Sequence, residues 1–85
     1  MKQDWLITFR SVTFAQHAER SLRRENISCQ LQRTPKMLNT RGCGYCLRLR
    51  GDDALSAVAI LRSEQIPYGK LFVWNDNGMP EEKIL

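Results

Sequence analysis

The chain repeats itself once, and the repeat limits what it can fold into. Trp5-Leu6-Ile7-Thr8-Phe9-Arg10 aligns with Tyr45-Cys46-Leu47-Arg48-Leu49-Arg50, forty residues on. Further along, Arg24-Glu25-Asn26-Ile27 aligns with Ser63-Glu64-Gln65-Ile66, one residue out of step. The first run is rich in β-formers, and alternation puts Trp5, Ile7 and Phe9 on one side of a strand. Thr13 with Gln16 has the spacing of a capping box, so a helix is expected to start near Thr13. Phe14, Ala15, Ala18 and Leu22 fall on one face of that helix, with Gln16, Glu19, Arg20, Arg23 and Arg24 opposite. Asn26 suits a left-handed residue just past its end.

A second strand is expected over Ser28–Arg33, with Cys29 and Leu31 inward and Gln30 and Gln32 outward. Tyr45, Leu47 and Leu49 share the inner face of a third strand; Cys46, Arg48 and Arg50 share the other. Asp52 or Asp53 is placed to cap a second helix and to complement its dipole. Ala54, Val58 and Leu61, with Leu55 beside them, form its buried stripe, and Pro67 stops it. Lys70–Trp74 reads as a fourth strand, and Trp5 and Trp74 as residues packing the core rim. The order is βαββαβ. Right-handed crossovers then predict an α+β ferredoxin-like sandwich, a four-stranded antiparallel sheet with two helices on one face. Residues 1–74 make one domain, and 75–85 a loosely ordered C-terminal tail. The other sheet face carries Leu6, Thr8, Arg10, Gln30, Gln32, Cys46, Arg48 and Arg50, and is expected to lie open, polar and basic.

Composition adds limits. At 85 residues and 9.9 kDa there is room for one small core. No apolar run approaches the roughly 18 residues of a membrane span, so no membrane partner is expected. The opening Met1-Lys2-Gln3-Asp4 lacks a signal peptide's apolar stretch, which points to a cytoplasmic protein. Residues 1–50 hold ten Lys/Arg against three Asp/Glu, or +7; residues 51–85 hold three against six, or −3. The positive charge therefore collects on the first helix, the second sheet face and the loop after the second strand, where it suits an acidic partner.

That loop, residues 34–44, is far longer than the two to five or so residues that closing a hairpin takes. Near its end stands Arg41-Gly42-Cys43-Gly44-Tyr45-Cys46. Gly42 and Gly44 let backbone N–H groups come close to the Cys43 sulfur, and Lys36, Arg41 and Arg48 supply positive charge that favours a thiolate. Cys43 therefore reads either as an accessible nucleophile or as a small apolar residue at a strand entrance. Cys43 and Cys46 also form a C-x-x-C. In thioredoxin-like proteins that motif opens a helix; here it leads into a strand, where three residues span about 10 Å and opposite parity separates the thiols. A disulfide needs Cα atoms about 4.4–6.8 Å apart, so the segment must curl to form one. Zinc needs four ligands, and one C-x-x-C supplies two. Cys29 reads as a core residue, and His17 as a solvated helix residue.

With these residues in view, the chain resembles a family of small bacterial selenium/sulfur carrier-like domains, distantly akin to the TusA-type sulfur carriers. The resemblance runs from about Trp5 to Phe72. It lies in Thr8-Phe9 of the first strand, Ala18 and Leu22 of the first helix, Thr34-Pro35-Lys36, Cys43-Gly44, and Leu47-Arg48. It implies that Cys43 is the carrier thiol and Pro35 a loop-shaping residue. It implies no metal or organic cofactor, a carrier rather than a stand-alone enzyme, and partners that donate and accept sulfur or selenium. Arg41-Gly42 and the extra thiol Cys46 depart from the pattern, and Cys46 is then a candidate resolving thiol.

Two rival readings remain. The RNA-recognition-motif fold is also βαββαβ, and residues 41–48 match its third-strand signature at Arg41, Gly42, Gly44 and loosely Tyr45. Cys43 stands where its first stacking aromatic belongs. Its register would also bury Arg48, at a cost of several kcal/mol if unpaired, whereas the opposite register buries Tyr45, Leu47 and Leu49. Nucleic acid is therefore the less favoured partner. The other rival is a non-catalytic regulatory or assembly domain. No paired catalytic carboxylates, nucleophile elbow or phosphate loop stands in the chain.

Overall fold

A computed structural model describes residues 3–38, 44–74 and 80–84. Its elements are β1 (Asp4–Phe9), α1 (Val12–Arg24), β2 (Cys29–Arg33), β3 (Tyr45–Arg50), α2 (Gly51–Ser63), β4 (Leu71–Trp74) and β5 (Pro80–Lys83), with a single 3₁₀ turn at Lys36–Leu38. All pairings are antiparallel and the strand order is β2-β3-β1-β4-β5. The sheet thus has five strands rather than the expected four. The fifth comes from within the stretch read as tail and pairs Leu71 with Lys83 through Trp74 with Pro80. Proline fits there because an edge strand does not need every N–H.

Both helices lie on one sheet face, over a core containing Ile7, Phe9, Leu22, Leu47, Leu49, Val58, Leu61 and Leu71. The alternation read in β1 and β3 holds, since Ile7 pairs with Leu47 and Trp5 with Leu49 on that side. The helix starts differ from expectation. Ser11, extended and two residues past β1, caps α1 by accepting from the Phe14 N–H at 3.3 Å, which leaves Thr13 inside the first turn. Ala15, Ala18, Ser21 and Leu22 make the buried stripe, and Phe14 is largely exposed. In α2 the cap position is Arg50, and Asp52 and Asp53 fall in the first turn, where their charge still meets the positive end of the dipole. The helix follows β3 with no connecting residue. Gly51 makes that possible: its N–H donates to Gln3 O at 2.7 Å, and a Cβ there would stand 2.7 Å from that oxygen. Ala57 takes the inward place expected of Leu55, which is 65% exposed.

The two helices end alike. Asn26 (φ 62°) and Gln65 (φ 57°) are left-handed. Asn26 N–H donates to Arg23 O and Ile27 N–H to Leu22 O; Gln65 N–H donates to Arg62 O and Ile66 N–H to Leu61 O. Both are Schellman endings, each burying an isoleucine beside a leucine. The out-of-step repeat in the sequence is the trace of this shared stop.

The second sheet face is not open. Leu6, Cys46 and Phe72 form a second small core, closed by Leu38 from the 3₁₀ turn and flanked by Trp74. Thr8 is buried there too. Its hydroxyl accepts from Lys70 N–H at 2.7 Å, while its carbonyl takes Gly69 N–H at 2.6 Å. Alternation assigned these residues to the right face. It did not foresee that Leu38, from the start of the long connection, would pack over them.

Candidate functional site

The base of the 34–44 connection is built by β2 and β3. The hairpin register sets Arg33 opposite Tyr45 and Gln32 opposite Cys46. One step beyond the last pair, Thr34 N–H donates to Gly44 O at 3.0 Å, clasping the two ends of the loop. Arg33 lies over the Tyr45 ring, 5.9 Å from its centroid, a cation–π contact on the same clasp. Pro35 then turns the chain: Leu38 N–H donates to Pro35 O at 2.8 Å, and Leu38 drops into the second core while Met37 stays 64% exposed. Arg33 and Leu38 were not singled out from sequence. The hairpin register was the available signal for the first, and an apolar pair, Met37-Leu38, inside a polar loop was the signal for the second.

Cys43 and its neighbours Arg41 and Gly42 lie outside the described residues. Gly44 is half-buried; among the described residues nothing comes within 4 Å of a Cβ built there, so crowding does not explain that glycine. Lys36 is exposed in the 3₁₀ turn. Arg48 is exposed on β3 and held by Asp4, donating from Nε to Oδ2 at 2.8 Å with Nη2 at 2.6 Å. Its guanidinium is therefore held by Asp4 rather than by the loop.

Cys46 is fully buried, its Sγ 4.0 Å from Arg33 O. Burial pushes its thiol pKa up, against weaker opposing pulls from the Thr34 and Gln32 side chains and the Arg48 charge. The Thr34 hydroxyl is itself buried without a partner of good hydrogen-bond geometry, so its approach to the sulfur is a polar contact rather than a bond. Cys29 is a core thiol as expected, and its pKa is likewise raised by burial.

A nucleic-acid platform finds little support on this face. Leu6, Thr8, Cys46 and Phe72 are buried there, and Arg48 points to solvent with its partner. No helix among the described residues is long and apolar enough to cross a membrane.

Comparison with known families agrees with the selenium/sulfur carrier-like resemblance and does not extend to the TusA-type carriers. The profile of the family described as "Putative Se/S carrier protein-like" matches residues 4–73, from the start of β1 almost to the end of β4. No curated protein and no solved structure gives a significant match.

Proposed function

The chain belongs to the Se/S carrier protein-like family, and from that premise we propose that it carries sulfur or selenium on Cys43 between a donor and an acceptor protein. The observation that carries the reading is the clasp between Thr34 N–H and Gly44 O. It anchors Gly44, the residue next to Cys43, to the β2–β3 hairpin. A carrier needs a thiol fixed at one point yet reachable by two partners.

The step balances without a cofactor. The Cys43 thiolate attacks the outer sulfur of a donor persulfide; a new S–S bond forms, the donor's breaks, and the donor leaves as a thiolate. Delivery reverses this, with the acceptor's nucleophile taking the outer sulfur and Cys43 regaining its thiolate. Lys36, Arg41 and Arg33 are the cations that favour the anionic sulfur. Cys46 is the resolving thiol of this scheme: attack of its thiolate on Cys43 Sγ leaves a disulfide and releases hydrosulfide. Its burial and raised pKa make that route slow. We also infer a ferredoxin-like sandwich over β1 to β4, supported by the order β2-β3-β1-β4 and the paired helices, with β5 added at the edge.

The test is mass spectrometry after incubation with a cysteine desulfurase and cysteine. A gain of one sulfur that survives Cys46→Ser and vanishes in Cys43→Ser is expected. A gain retained in Cys43→Ser overturns the assignment, and no gain in the wild type with any donor tried ends the carrier reading.

A further inference from the structure

On the sheet face away from the helices, a cavity of about 220 Å³ is lined by Asp4, Leu6, Gln32, Pro35, Arg48 and Trp74. Four strands and the start of the long connection contribute to it. Leu6 lies directly opposite both Arg48 and Phe72, and Asp4 opposite Trp74, so each charged residue of the pair stands beside an apolar neighbour, with Pro35 also on the lining. The ion pair is lopsided. Arg48 Nε and Nη2 both engage Asp4 Oδ2, not one oxygen each as in a forked bidentate pair. Asp4 Oδ1 and Arg48 Nη1 make no hydrogen bond among the described residues, which leaves an acceptor on one lining residue and a donor on another.

We propose that this cavity binds a free α-amino acid with a short side chain as its zwitterion. Charge selects that class. An anion alone meets Arg48 but is repelled by Asp4, and a cation alone meets the reverse. A molecule bearing both charges on one carbon is attracted by both, its carboxylate on Arg48 Nη1 and its ammonium on Asp4 Oδ1. Size narrows the class further. The volume corresponds to about seven waters of liquid and falls below the ~300 Å³ where drug-sized sites begin. Seven or eight non-hydrogen atoms fit, as in cysteine or serine. Their side chain would lie against Leu6, Pro35 and Trp74 with the Gln32 amide beside it. Pro35 also opens the connection that carries Cys43, so an occupant touches the base of that loop. The binding step does not depend on the carrier reading and is measured without any sulfur donor.

The experiment uses the full chain with Cys43→Ser, which removes the candidate carrier thiol and leaves only the buried Cys29 and Cys46, and follows L-cysteine and L-serine by ¹⁵N NMR. Of the two indole N–H signals, Trp74's is expected to move and Trp5's to stay, with the amides of Leu6, Gln32 and Arg48 shifting in step. Asp4→Asn and Arg48→Gln are each expected to weaken binding at least tenfold. Cysteamine, which lacks the carboxylate, and 3-mercaptopropionate, which lacks the ammonium, are expected to bind at least tenfold more weakly. Unshifted Trp74 at tens of millimolar amino acid, equal binding of either truncated compound, or undiminished affinity in a variant whose spectrum remains folded overturns the proposal.

Discussion

Cys46 has its side chain wholly inside the second core, and burial is the largest influence on its thiol. Burial favours the neutral form, so the folded pKa stands above the unfolded one, which is about 8.5. The stabilising contribution is therefore complete below about pH 8.5, and is lost as pH rises from there through the folded pKa, because the unfolded chain releases its proton first. Cys29 acts in the same direction. Urea midpoints measured from pH 7 to pH 10 are expected to fall above about 8.5, and less steeply in Cys46→Ala. Slopes rather than absolute values decide, since the substitution also leaves a small cavity. Parallel slopes would mean that burial does not hold this thiol neutral. The inward and outward assignment of both cysteines was legible from alternation. That Cys46 is shielded was not, because its cover comes from Leu38, eight residues away across the loop.

At the level of elements, the helix ends were more legible than the helix starts. Each end is recorded locally, in a left-handed residue followed by an isoleucine that packs back on a leucine. Asn26 tolerates positive φ better than Gln65 does, since a short polar side chain can satisfy itself locally. Gln65→Gly is thus expected to stabilise the fold by about 0.5–1 kcal/mol, and to raise the melting temperature by roughly 2–8 °C. Asn26→Gly should gain less. Calorimetry on the two variants checks this, and equal gains would contradict the account. The starts were misread because two candidate caps lay close together in each case. Ser11 and Thr13 both fit local rules, and the short turn out of β1 selected Ser11. At α2 no side-chain cap was needed, since Gly51 enters the helix directly while bonded to Gln3.

Across the whole molecule, the sheet is covered on both faces rather than one. The second cover is small, and Leu38 is its key. Leu38→Ala removes most of a buried side chain from a shallow core and is expected to cost about 2–3 kcal/mol. It should also open Cys46 to alkylation under conditions where the native thiol is protected. Denaturant titration, together with mass-resolved labelling of the folded protein, tests both effects. A destabilised variant whose Cys46 remained unlabelled would show that Leu38 is not the cover. By itself the sequence determined the βαββαβ order and the inward faces of β1, β2 and β3. Those follow from side-chain periodicity and from a repeat written in neighbouring residues. Only the tertiary structure decided that the start of the long connection returns Leu38 to the sheet, that a fifth strand joins the edge, and that Arg48 is engaged by Asp4. These depend on which distant surfaces meet, and each joins residues too far apart in the chain for a local pattern to register them.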